Sequence, residues 1–217
     1  MVLIAGPWVS SAIGNQFNTV AGAIGSGTTG ENFHEPQDIP DPQNGTAFAV
    51  YSEDDPSLMF YKRRGVPKEG EMFNYRHVTA VYTDFETEIY GCKSSDNYIP
   101  WESIHEKVLS VKVVDDGLIP RSVGHWFDYF YHLNSCDLAR LNFENAASMN
   151  GLFYHCASLS CLTLPQTNFS SITDMYATFD GCSSLRFDCS NWNVSGCINH
   201  LNFNQFAPGV ILPKAWQ

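Results

Sequence analysis

The chain is short of charge, and of positive charge above all. Only 16% of its 217 residues are charged, and 12 Lys and Arg face 23 Asp and Glu, for a net charge of −11. A surface of that sign repels phosphate backbones, which excludes DNA and RNA as partners. Long apolar runs are missing as well. A membrane span needs about 20 predominantly apolar residues, and no segment supplies them, so no span is expected. The start lacks the basic residues and sustained apolar stretch of a secretion signal, with Val2 to Ala5 its one unbroken apolar run. The seven histidines (His34, His77, His105, His125, His132, His155, His200) show no H-E-x-x-H or similar ligand spacing, and no cysteines form a C-x-x-C pair. Neither a G-x-S-x-G nor a P-loop pattern occurs. These absences lead to the expectation of a protein that is not an enzyme and uses no metal and no cofactor.

What the chain does have is apolar and aromatic bulk: 44% hydrophobic residues, with 15 Phe, 10 Tyr and 5 Trp, which implies a folded, β-rich core. It also has a repeat. Met149, Phe153, Cys156 and Leu159 recur 26 residues later as Met175, Phe179, Cys182 and Leu185. A period of that size marks a solenoid, most often a leucine-rich one. Stepping back by the same interval places Phe127, Phe130 and Leu133 on the Phe, Cys and Leu positions. Stepping forward pairs Ile198 with Ile172 and Leu201 with Met175, but puts Gln205 where a Phe belongs. Roughly four turns are therefore expected, with degraded ends. Within a turn, Met149, Phe153 and Cys156 at i, i+4 and i+7 predict a short helix, and Leu162 and Leu164 a short strand.

The run from Asn168 through Met175, Phe179 and Cys182 to Leu185 resembles the BspA-type leucine-rich repeat of bacterial surface proteins. Met149 to Leu159 is similar as a second copy, and Trp126-Phe127 through Leu133 resembles the family's opening unit. Ala47 to Tyr51, Ser57 to Tyr61, Pro100-Trp101 and Ser110 to Val114 extend the likeness upstream. The resemblance implies an extracellular, non-enzymatic and adhesive protein, and brings no catalytic residue with it.

The expected architecture is α/β: a short leucine-rich-repeat solenoid of roughly four turns, an N-terminal β-rich cap and a leading amphipathic helix. Residues 1–24 form the helical segment, 25–45 a linker, 46–120 the capping region and 121–217 the solenoid with a C-terminal cap. The helix rests on Pro7 in its first turn and on Val9, Ile13, Phe17, Val20 and Ile24 along one side. Residues 13–24 resemble the tail of Flp-type pilin helices, without the processing site of those pilins. The string Gly25-Ser26-Gly27-Thr28-Thr29-Gly30 has dinucleotide-loop spacing but follows a helix and precedes three prolines, so it reads as linker. Strands are expected at Ala47–Tyr51 and Leu58–Tyr61 around a turn at Glu53-Asp54-Asp55-Pro56.

Cys156 and Cys182 take inward repeat positions and act as small apolar residues. A bridge between them is allowed by distance alone, yet Cys92, Cys136, Cys161, Cys189 and Cys197 show no paired framework, and no disulfide is the favoured reading. His155 beside Cys156 does not make a nucleophile pair, because neighbours on a helix diverge by about 100°. Lys62-Arg63-Arg64 decorates a hairpin end, with a ligand contact as the alternative. Glu53-Asp54-Asp55 and Asp115-Asp116-Gly117 are solvated acidic turns, with a cation site as the alternative.

The function expected is adhesion at the bacterial surface, through a repeat face that binds a protein or glycan ligand. Its contact residues are Tyr154, Asn168, Arg186, Asn191 and Trp192, chosen as outward positions of strands and corners. The alternative is a structural subunit of a pilus-like appendage, self-assembled through residues 7–24.

Overall fold

The computed structural model describes residues 39–91, 97–165 and 168–217. The helix expected over residues 7–24, most of the linker and Cys92 lie outside them. Among the described residues there is no α-helix. The strands are β1 Thr46–Ser52, β2 Ser57–Arg63, β3 Met72–Phe73, β4 Arg76–His77, β5 Ala80–Thr83, β6 Ser110–Val113, β7 Ser135–Asp137, β8 Cys161–Thr163, β9 Phe187–Asp188 and β10 Val210–Ile211. Single 3-10 turns at Glu102–Ile104 and Lys214–Trp216 complete the regular structure. The α/β class is therefore corrected to β, and no helix here is long and apolar enough to cross a membrane.

The strands β1 and β2 form a hairpin in register from Thr46↔Arg63 to Ser52↔Ser57, closed by the acidic turn. β5 pairs antiparallel with the other edge of β1, while β6, β7 and β8 continue from β2 in parallel, in the order β5-β1-β2-β6-β7-β8. β9 and β10 form a separate parallel pair, and β3 and β4 a small hairpin. A solenoid of the expected kind needs one sheet running through every turn. Here the sheet ends at β8, which corrects that expectation too.

The helix expected in each repeat is replaced by a run of turns, and the hydrogen bonds show why. The N–H groups of Met149, Gly151, Phe153 and His155 donate across to the carbonyls of Asp174, Tyr176, Thr178 and Asp180. The N–H groups in between, on Leu152, Tyr154 and Cys156, close tight turns onto Met149, Gly151 and Phe153. An α-helix would send every N–H four residues back along its own segment. Here every second one leaves the segment. The same alternation starts from Val123, His125, Phe127 and Tyr129, and again from Met175, Ala177, Phe179 and Gly181.

Such a run requires left-handed backbone at fixed places. His125, Gly151, Ala177 and Asn202 have φ of 59°, 57°, 50° and 60°, and four residues further on Tyr129, His155, Gly181 and Phe206 have 61°, 61°, 77° and 56°. Only two of the eight are glycines. The apolar residues still point inward: Met149, Leu152, Phe153, Cys156 and Leu159 are fully buried. The Phe127, Phe153 and Phe179 rings stack at successive spacings of 5.7 Å.

The last run keeps the pattern with a shorter interval. Asn193 bridges to Asn168 and Asn199 to Asp174, both 25 residues apart. The residues that fill the Cys and Leu positions are consequently Ala207 and Val210, both buried, while Ile198 and Leu201 are 83% and 66% exposed. The extension by 26 residues overshot by one.

Packing joins the sheet to the first run. Phe60 lies 5.5 Å from Trp126 in a stacked pair and meets Phe85, Trp101 and Phe127 edge-on. The Trp101 Nε1–H donates to the Trp126 carbonyl at 2.6 Å. One hydrophobic core runs without interruption from Ala47 to Val210.

Candidate binding face

The five residues expected to contact a partner are not brought together. Tyr154 is half-buried on the edge formed by the turn runs. Asn168 is exposed at a corner, where its Oδ1 accepts from Asn193 Nδ2 at 2.9 Å. Arg186 is exposed and lines a shallow groove of about 170 Å³ with Ser183, Ser184, Pro208 and Gly209. Asn191 is exposed and accepts from Lys214 Nζ at 3.2 Å. Trp192 corrects the outward assignment. It is 6% exposed, with its ring 4.4 Å from Phe169 and about 6 Å from Phe179, Phe187 and Phe203. Two residues of a corner alternate in direction, so Asn191 outside puts Trp192 inside.

Around Tyr154 the structure assembles an aromatic edge that spacing alone did not reveal. The Tyr129 and Tyr154 rings meet edge-on at 5.3 Å, and the His155 imidazole stacks flat on Tyr129 at 5.5 Å, 6° from parallel. Tyr131, 40% exposed, adds a third tyrosine, its ring 5.8 Å from that of Tyr129. The left-handed conformation of Tyr129 and His155 turns both side chains onto this edge. Burial, and then the neighbouring Tyr154 hydroxyl, push the Tyr129 phenol up to about 12. Beside them Asp180 is 6% exposed, and its Oδ1 has no hydrogen-bond partner among the described residues. Burial raises its carboxyl, and the nearby His155 opposes that shift. A sequence signal did exist: Tyr129-Phe130-Tyr131 alternates about a buried Phe, which puts both tyrosines on the outer side.

The other candidates resolve into structural roles. The Cys156 thiol donates to the Phe127 carbonyl at 2.9 Å, and Cys182 to Phe153 at 3.1 Å, one run away in each case. Burial pushes both thiols up, with Cys182 reaching about 12. A nucleophilic cysteine needs the opposite shift. The cysteines other than Cys92 are free. In the basic triplet, Arg63 forms a buried two-pronged pair with Asp115, Nε to Oδ2 at 2.7 Å and Nη2 to Oδ1 at 3.1 Å. Lys62 pairs with Glu86 at 2.5 Å and Arg64 with Asp41 at 2.7 Å. The acidic turns are answered by bases as well: Glu53 by Lys107, Asp54 by His77, Asp55 by Arg76 and Asp116 by Arg140. No group of three or more metal-capable side chains occurs among the described residues.

No curated protein and no solved structure matches the chain. One family model does, over residues 122–206, which is less than half of the chain and coincides with the turn runs and their tyrosine edge. That bacterial family is described as "Mycoplasma protein of unknown function, DUF285".

Proposed function

We propose that this is a non-enzymatic bacterial surface protein that adheres to a protein or glycan partner through the lateral face of its turn runs. The observation that carries the reading is the aromatic edge of Tyr129, Tyr131, Tyr154 and His155. Tyrosine offers a large, stiff, amphipathic contact at low entropic cost and is enriched where binding energy concentrates. Three of these rings are already held against one another before any partner arrives, which reduces the ordering cost of binding. The likeness of Met149–Leu159 and Met175–Leu185 to BspA-type repeats supports a place at the cell surface, as does the match to a bacterial family. Asn168, Arg186 and Asn191 are exposed but lie apart from that edge, and buried Trp192 belongs to the core, so of the five residues read from spacing Tyr154 alone enters the proposed face.

The test uses the full chain, fluorescently labelled, on a printed glycan array and on immobilised extracellular-matrix proteins. Saturable binding to one surface is expected, weakened at least tenfold by Tyr131→Ala with Tyr154→Ala while the melting temperature stays in place. Equal binding by the double variant overturns the tyrosine edge. Intact source cells treated with external protease check the location, since complete protection of the chain, with a known surface protein digested, contradicts exposure.

A further inference from the structure

Among the described residues, the far end of the turn runs is a row of backbone donors with no acceptors. In each earlier run, alternate N–H groups donate to carbonyls of the next run, from Val123 through Tyr129, Met149 through His155 and Met175 through Gly181. The same positions in the last run are His200, Asn202, Asn204 and Phe206, and none of their N–H groups has an acceptor among the described residues. Their carbonyl side is used up: His200, Asn202 and Asn204 accept the turn bonds from Phe203, Gln205 and Ala207. Around this row stand the most exposed apolar side chains of the region, Ile198 at 83%, Phe206 at 70% and Leu201 at 66%. The outer edge of β10 beside them has no neighbouring strand among the described residues, and Ile211 on it is 50% exposed. The Trp216 ring covers one corner by stacking on His200 at 4.3 Å.

We infer that this end is a docking surface for a polypeptide segment from another molecule, one that presents backbone carbonyls on alternate residues and apolar side chains beside them. The hydrogen-bond pattern selects that occupant. A second copy docking by the same end would set donors against donors. A polar ligand would leave the Ile198, Leu201 and Phe206 patch in water. A chain segment satisfies both, as an added strand satisfies the edge of a sheet. The geometry it must adopt is already shown within the molecule, where Asp174, Tyr176, Thr178 and Asp180 offer their carbonyls to the run before. This surface is separate from the tyrosine edge, and its test does not depend on that edge.

The probe is a synthetic peptide of residues 173–186 added to the full chain, with amide exchange read by NMR. In the free chain, the amides of Asn202, Asn204 and Phe206 are expected to exchange at least tenfold faster than those of Ala177, Phe179 and Gly181. Saturating peptide is expected to slow them at least tenfold, and Ile198→Asp with Leu201→Asp to abolish the slowing. Both residues are exposed, so that variant keeps its fold, which an unchanged melting temperature verifies. Three results overturn the inference: no slowing with peptide, slowing that survives the double aspartate variant, or protection of these amides in the free chain by self-association seen in sedimentation.

Discussion

At the scale of single residues, the unusual feature is how often left-handed backbone recurs without glycine. A non-glycine residue in that region costs about 1–2 kcal/mol, and His125, Tyr129, His155 and Ala177 each bear that cost. Where glycine does occur it is fixed by its neighbour. A Cβ on Gly181 would lie 2.8 Å from His155 Nδ1 and 3.1 Å from its Cα, at a φ of +77°. Gly181→Ala is therefore expected to destabilise by about 1–3 kcal/mol, measured by urea titration, whereas a loss below a few tenths would contradict the geometry. The cysteines make a second prediction. Cys136 and Cys156 are pushed well above the ordinary thiol value and Cys182 to about 12, all by burial first. Unfolded thiols lose their protons near pH 8.5, so above that pH the folded chain binds more protons than the unfolded one. The stability these groups contribute is complete below pH 8.5 and drains away as pH rises towards 12. The melting temperature is expected to fall steadily from pH 8.5 to 11, and less steeply in a Cys182→Ala variant. The inward direction of Met149, Phe153 and Cys156 was legible from their spacing. Their backbone was not, because i, i+4, i+7 is also the spacing of this turn run, and six of its eight left-handed positions carry no glycine to announce them.

At the scale of elements, charge placement does what no periodicity describes. β2 ends on Arg63, and the segment after β6 supplies Asp115, which accepts from the Arg63 guanidinium and from the Lys62 N–H at 3.1 Å. Both side chains of the pair are under 10% exposed. Removing one partner of a buried pair strands the other charge, at about 3–5 kcal/mol. Asp115→Ala is expected to lose that much in chemical denaturation, and Asp115→Ala with Arg63→Met to recover much of it. A double variant as unstable as the single one would show that the pair does more than neutralise Arg63. The strands themselves were readable: Ala47–Tyr51 and Leu58–Tyr61 fall inside β1 and β2, with the acidic turn between them. The partnership of Lys62-Arg63-Arg64 with acids 24, 52 and 23 residues away was not, since sequence shows charge but not which acid lies across the sheet. The register of the last run escaped for a related reason, as a one-residue shortening near Asn193 is invisible until a bridge to Asn168 fixes it.

At the scale of the whole described region, the question is whether the sheet and the turn runs are one cooperative body. The strand ladder breaks between β8 and β9, which by itself would let the end of the molecule open alone. Two features oppose that. The backbone bonds between turn runs continue past the break, from Phe153 to Thr178 and from Phe179 to Phe203. The apolar core also continues, from Phe60 and Trp126 through Phe153 and Phe179 to Phe203 and Val210. Contacts between neighbouring runs then couple each layer to the next, so a defect at the sheet junction lowers the stability of all of them. Trp101→Phe removes the Nε1 bond to the Trp126 carbonyl and opens a cavity in that junction, at about 1–3 kcal/mol. In scanning calorimetry it is expected to move one transition to lower temperature without splitting it, with van't Hoff and calorimetric enthalpies in agreement. Two peaks, with the upper one unmoved by the substitution, would mean that the turn runs stand without the sheet. A binding edge built on Tyr129 and Tyr154 would then have to be rigid by itself, whereas coupling through Trp126 and Phe127 makes the sheet the support that holds those rings in place before a partner arrives.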